Sequence, residues 1–361
     1  MPSSIRYSER ALLFTLGRTE RPRVSRTRLA MPGVLTASEI DATVDAIGAV
    51  QQPNGFILWY SGGHADPWNH VEAAMALDCG GRHHDAVRAY EWLADHQRAD
   101  GSWFEYYTAD GIEDPKFDAN TIAYIATGAL HHLLATGDER FAMELWPTVE
   151  KAVDWVLELQ RPDGAITWAR HPDGTPFDYA LLTGSASMAH SLASACRLAA
   201  LLGKDRDDWR TARERLAYAV AHLPAAFEPK DRWAMDWYYP VLAGVVGGAA
   251  AQARLDAGWD RFVMSGEGVR CVDDQPWVTT GETAELAIAC VAAGWHDRAR
   301  HLIAWSRQLR DIDGRYWTGL HVPDRVYFPA DERTSYSAAA IVLAVDALVG
   351  STPASAIFRP S

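Results

Sequence analysis

The sequence predicts an all-α fold, an (α/α)6 toroid of six helical hairpins, on three observations. First, a phrase recurs in which a helix ends in Gln, a polar turn carries Gly, and a Trp follows. It reads Gln52-Pro-Asn-Gly55 with Trp59, Gln97 to Gly101 with Trp103, Gln160 to Gly164 with Trp168, and more loosely Gln308, Gly314 and Trp317. Second, two kinds of helix alternate along the chain. Charged, one-striped helices such as 85–97, 139–160, 207–222 and 296–308 suit an outer ring, and smooth, small-residue stretches such as Gly184-Ser-Ala-Ser-Met-Ala suit an inner one. Third, no segment alternates apolar and polar residues convincingly enough to be a strand.

The helices are expected at about 36–51, 67–79, 83–97, 118–135, 138–159, 183–203, 205–222, 238–251, 253–263, 281–293, 296–309 and 332–349. Thr36 with Glu39, and Thr279 with Glu282, read as capping boxes. Asp66-Pro67 reads as an N-cap followed by an N1 proline, and Gly80-Gly81, Gly137 and Gly294 read as stops. The glycine-alanine run 243–251 is assigned to an inner helix. Residues 1–30, with seven arginines, read as an arm or an extension upstream of Met31. Residues 31–352 form one catalytic domain in this reading, with a tail at 353–361.

Composition narrows the partners. An apolar fraction of 48% supports a large core, and a net charge of −13 opposes binding to nucleic acid or to an anionic membrane surface. No run of eighteen apolar residues offers a membrane span. The four cysteines lie far apart, without metal-ligand spacing. Three sit in apolar stretches as small hydrophobes, which fits a reducing cytoplasm. No metal or other cofactor is expected. His64 and His70 stand six residues apart on different helical faces, and His131-His132 read as solvated or satisfied histidines. P-loop, dinucleotide and nucleophile-elbow motifs are missing. Nothing in the sequence rules an oligomer in or out.

If outer helices feed inner ones, all inner helices begin at one end, and the long loops gather there. Those loops interleave carboxylates with Trp and Tyr, which suits a sugar polymer: rings stack on aromatic faces while acids grip hydroxyls. The candidate lining comprises Trp59, Tyr60, His64, Trp68 and Asn69 from the first loop, and Trp103, Tyr107 and Asp118 from the second. Asp236, Trp237 and Tyr238 follow, then Trp277 and Glu285, then Trp317 and Glu332. Glycoside hydrolysis needs two carboxyls, one protonated and one ionised. Asp66 is the first choice as base or nucleophile, because helix N–H groups and the dipole would hold it ionised. Its structural alternative is a plain N-cap. Glu282 is the choice for the acid, and its structural alternative is the capping box with Thr279.

The Gln–Gly–Trp turns resemble repeats of squalene cyclases and prenyltransferase β-subunits, whereas 135–147 and 332–350 look like glucoamylase-type toroids. His64-Ala-Asp-Pro-Trp-Asn-His-Val-Glu72, Trp233-Ala-Met-Asp-Trp-Tyr-Tyr239 and Thr280-Gly-Glu-Thr-Ala-Glu285 most resemble the actinobacterial methylmannose polysaccharide hydrolases, over about 35–350. That resemblance implies an intracellular α-endomannosidase cutting internal α-1,4 bonds of partly 3-O-methylated mannan. It also implies Asp66 and Glu282 as the catalytic pair. A class II terpene cyclase would need an Asp-x-Asp-Asp acid, and Cys271-Val-Asp-Asp274 lacks the first Asp. A non-catalytic carbohydrate-binding toroid would keep the aromatic platforms and need no paired acids.

Overall fold

Local signals start or stop several helices where the sequence places them. In the computed structural model, which describes residues 28–359, Thr36 and Glu39 form the expected reciprocal cap at the start of α1 (Ala37–Ala49). Asp66 caps α2 (Pro67–Cys79) by accepting the Asn69 backbone N–H at 2.9 Å. The helices that follow are α3 (His83–His96), the short α4 (Ala119–Ala123) and α5 (Ile125–Thr136), α6 (Glu139–Leu157), α7 (Leu182–Leu201) and α8 (Asp207–His222). The last five are α9 (Ala234–Leu242), α10 (Gly248–Phe262), α11 (Thr280–Ala292), α12 (His296–Trp305) and α13 (Ser335–Val349). Of the arm expected at 1–30, residues 1–27 lie outside the described residues, and Leu29 is buried in the core.

Two classes of helix are evident from burial. α2, α5, α7, α9, α11 and α13 are covered on nearly all sides. α8 buries only the stripe Trp209, Ala212, Leu216, Ala219 and Val220, at the spacing of one helical face. Contacts between the inner helices run in a cycle: α2 packs on α5, α5 on α7, α7 on α9, α9 on α11, α11 on α13, and α13 on α2.

The recurring turn is a docking device, and its register differs from the one expected. Gln51, not Gln52, opens the first copy. The side-chain amides of Gln51, Gln97 and Gln160 each bond the carbonyl of the Gly four residues on, and a carbonyl of the next outer helix. Those second acceptors are Asp85, Thr148 and Ala212. In the last copy Arg310, not Gln308, holds the place and reaches Glu39 of α1 at 3.0 Å. The glycines Gly55, Gly101, Gly164 and Gly314 have φ between +91° and +97°. A Cβ on Gly101 would stand 2.4 Å from the Lys151 carbonyl oxygen, so only glycine permits the approach.

Four expectations fail. Strands exist: a three-stranded sheet β1 (His64–Ala65), β2 (Tyr106–Thr108), β3 (Gly111–Asp114), a two-stranded pair β4 (Phe117–Asp118), β5 (Ala169–Arg170), and a five-stranded antiparallel sheet. The last runs β10 (Val326–Arg333), β9 (Trp317–His321), β8 (Trp277–Thr279), β7 (Gly268–Arg270), β6 (Val263–Met264). At two to eight residues, such strands rarely hold enough alternations to stand out in sequence. The glycine-alanine run is not one inner helix: α9 ends at Leu242 and the chain turns through Gly244, at φ +69°, and Gly248, at φ +57°. Thr279 does not cap α11, because its hydroxyl goes to the Glu282 carboxylate and no backbone N–H bonds it. Residues 353–358, expected as a tail, form a 3-10 turn that buries Ala354 and Phe358, the latter against His190.

Candidate active site

Strands β1, β8 and β10 each run into or just before a buried helix, and β4 runs into α4 just ahead of α5, so the sheets lie at the N-terminal ends of these helices. Three tryptophans are fixed at that end by main chain. The Trp59 carbonyl accepts from Ser335 at the start of α13, the Trp168 carbonyl from Ala119 at the start of α4, and the Trp317 carbonyl from the Thr280 hydroxyl at the start of α11. The fourth does not share that place. Trp103 is 0% exposed and donates its indole N–H to the Leu93 carbonyl in α3. The register explains why: Trp59 and Trp168 lie four residues beyond their turn glycine, Trp103 only two, at the position Ile57 and Ile166 fill in the core. Glu105 takes the outer position of that copy and pairs with Lys116 at 2.9 Å.

Other expected lining residues are also withdrawn from the surface. Tyr107 is buried, its oxygen accepting the Phe104 N–H. Trp237 donates to the Arg254 carbonyl and stacks on Phe262. Tyr238 is buried, with its hydroxyl on Glu285, where it orients that carboxylate from behind. Asp118 caps α4 and receives the Trp168 indole N–H, and Asp236 receives the backbone N–H and hydroxyl of Thr183 in α7. Both of these aspartates hold helix ends and are covered.

The remaining residues gather as an aromatic wall beside a set of carboxyls, of which Asp66 and Glu72 are as buried as Asp118 and Asp236. Trp59 meets His64, Tyr106 and Tyr336 edge-on, with centroids 4.4 to 5.7 Å apart, and His64 stacks on Tyr106 and bonds Glu113 at 2.5 Å. Tyr60 faces Glu332 and Glu113, and burial together with those charges raises its phenol. Trp277, 39% exposed, leans on Phe328, and Trp317 stacks on Tyr327.

Four carboxyls make the floor: Asp66 and Glu72 from the start of α2, Glu282 and Glu285 from the start of α11. Asp66, 4% exposed, accepts from the Asn69 backbone at one oxygen and from the Asn69 side chain, at 2.6 Å, at the other. Helix N–H groups lower its pKa as expected, but burial outweighs them and the net shift is upward, so it is more basic than an ordinary aspartate. Burial pushes Glu72 up to about 8, and the charge of Asp66 adds to it. Trp68 and Tyr124 hold Glu72 by hydrogen bonds of 3.1 and 3.3 Å. Glu285 is raised well above the carboxylate range by burial, then by Glu72, with Glu282 adding to it.

The sequence reading passed over Glu72, Tyr124 and Tyr336 as site residues. Glu72 carried a usable signal, a lone carboxyl four residues beyond Trp68 within the apolar stretch Val71 to Ala76.

Indoles and phenols gathered beside carboxyls of α2 and α11, among which burial raises Asp66, Glu72 and Glu285, are the equipment of a glycoside hydrolase. No family model matches the chain. Over 329 residues it is 48% identical to MMP endo-(1,4)-3-O-methyl-alpha-D-mannosidase of Mycolicibacterium hassiacum, an alignment covering 91% of each chain. The chain belongs to this family of glycoside hydrolases. A solved wild-type glycosidase superposes with a TM-score of 0.69 at 15% identity, over 87% of this chain and 96% of the other. A D-mannose isomerase does so at 0.66 and 12% identity, over 85% and 96%. Those two share the helical scaffold and nothing more is drawn from them, since one scaffold carries unlike chemistries.

Proposed function

We propose that this hydrolase cuts internal α-1,4-mannosidic bonds of a partly 3-O-methylated mannan, in the cytoplasm, on a closed (α/α)6 barrel. The observation that carries the catalytic reading is the meeting of α2 and α11 carboxyls beneath the Trp59 wall. The cyclic helix contacts and the turn from Arg310 back to α1 support ring closure. The family relative's named substrate supports the bond and the sugar.

Asp66 serves as base: both its oxygens accept hydrogen bonds, which orients it, and burial strengthens its basicity. Glu282 serves as acid, steadied by the Thr279 hydroxyl. Trp59, Trp68, Trp277 and Trp317 offer stacking faces, Tyr60, His64, Asn69 and Glu332 offer polar contacts, and Glu285 lies beside the reacting bond. Each buried 3-O-methyl adds up to about 0.8 kcal/mol against such aromatic faces.

The test is digestion of 4-linked α-mannooligosaccharides, with and without 3-O-methyl groups, by the pure chain. Shorter oligomers from internal cuts are expected, with the methylated series preferred. Asp66→Asn and Glu282→Gln should each lower kcat by about 10³-fold or more with KM within about tenfold. Release of monosaccharide alone from chain ends would remove the endo assignment. A variant keeping above about a tenth of wild-type turnover would return that residue to a capping role.

A further inference from the structure

At the opposite end of the inner ring, three helices approach one another with ligand chemistry. Cys79 is the last residue of α2, His131 lies in the second half of α5, and Asp346 lies in the last turn of α13. All three are buried, and one ligand atom from each lies within 4.8 Å of the others. The Cys79 Sγ stands 3.7 Å from His131 Nε2 and 3.7 Å from Asp346 Oδ2. Both separations lie in the range of hydrogen bonds to sulfur, so the thiol already touches both groups. A tetrahedral ion bonded at about 2.3 Å to sulfur and about 2.0–2.2 Å to nitrogen or oxygen spaces those atoms about 3.5 Å apart.

The surroundings complete the pattern. His131 is 1% exposed, and its Nδ1 has no hydrogen-bond partner although it points to Asp78 Oδ2 at 3.9 Å. A carboxylate behind the far nitrogen of a ligating histidine is the usual support of a zinc-bound imidazole. Asp78 is itself fixed by His132 and His83, each at 2.8 Å. Asp346 is held by the Thr352 N–H at 2.8 Å and hydroxyl at 2.6 Å. Two buried carboxyls at the C-terminal ends of α2 and α13, where the helix dipoles are negative, favour a cation.

We infer that Cys79, His131 and Asp346 bind a divalent zinc ion as a structural staple, with a solvent molecule at the fourth corner. Zinc displaces the thiol proton, which leaves to solvent, so the site gains a Zn–S bond and loses an S–H bond with no change of oxidation state. The ion ties α13 to α2 and α2 to α5 at the end remote from the cleft. The assignment is independent of the glycosidic substrate.

The experiment uses the untagged full chain expressed with added zinc and purified without chelator. About one zinc per chain is expected. Exchange to cobalt should give a thiolate-to-cobalt charge-transfer band, which Cys79→Ser abolishes and Asp346→Asn weakens. Dialysis against chelator should lower Tm by several degrees, and zinc should restore it. Wild-type protein with under about a tenth of an equivalent of zinc, no cobalt band and no zinc-dependent Tm shift would overturn the site, and it needs no variant to fold. Equal zinc in wild type and Cys79→Ser would also overturn it, by placing the metal elsewhere.

Discussion

Glu72 is a carboxyl that stays protonated where most carboxyls are ionised, because α2 buries it among Trp68 and Tyr124 beside the charge of Asp66. Its folded-state pKa is raised to about 8 from 4.5. The neutral form therefore fits the fold at low pH, and the associated stability is present in full below about 4.5 and is lost as pH rises towards 8. Replacing it with Gln, which keeps the shape and cannot ionise, should flatten this part of the stability profile. Thermal melts of wild type and Glu72→Gln between pH 5 and 8 check it: the variant should gain Tm relative to wild type as pH rises. A constant difference across that range would mean that Glu72 does not titrate there. Burial has the same sign at Asp66, where the sequence supports the opposite expectation. A helix N-terminus can be read from Asp-Pro, but the depth of its burial depends on what later loops lay over it.

At the scale of the element, the Gln–Gly turn joins each hairpin to its neighbour. Gly101 combines a φ of +97° with backbone 2.4 Å from where a Cβ would stand. Gly101→Ala should cost about 3 kcal/mol or more, through strain plus a displaced α6. Gly137 also has a positive φ, +70°, but nothing lies within 4 Å of its missing Cβ. Gly137→Ala should cost only about 1–2 kcal/mol. Urea denaturation of both variants separates the two terms, and equal losses would show that close approach adds nothing at Gly101. The turn chemistry was legible because Asp-Gly and Asn-Gly are local signals. The spacing of four residues from Gln to Gly in the second and third copies points to Gln51 rather than Gln52, and the amide of Gln51 is the one that reaches Asp85. The role of the indole was not legible. Trp103 and Trp59 differ by two residues of offset from the glycine, which turns one into core and the other towards the cleft.

Across the whole molecule, the last turn returns to the first helix. Arg310 occupies the place of the repeat glutamine and donates to Glu39 in α1, while Gly314 approaches Ala42 as its counterparts approach α3, α6 and α8. If this contact joins the ends of the ring as the glutamines join neighbours, Arg310→Ala and Gln97→Ala should destabilise comparably. About 1–2 kcal/mol is expected for each, in one cooperative transition. Loss of stability in Gln97→Ala alone would leave the first and last hairpins unlinked by this turn. No helix among the described residues is long and apolar enough to cross a membrane.

By itself the sequence determined most of the helices, their two classes, the caps at Thr36 and Asp66, the turn glycines and the carbohydrate-handling inventory of the loops. These are properties of neighbours in the chain: helical periodicity, capping chemistry and glycine's access to positive φ act over a few residues. The tertiary structure decided which of those residues reach the cleft. It buried Trp103, Tyr107, Trp237 and Tyr238, assigned Asp118 and Asp236 to helix ends, and set Glu72 beside Asp66 on the floor. It also paired loop segments more than forty residues apart, such as Trp277 with His321, into sheets too short to alternate visibly. Burial and charge proximity depend on what distant segments bring to the same place, and no local pattern encodes that.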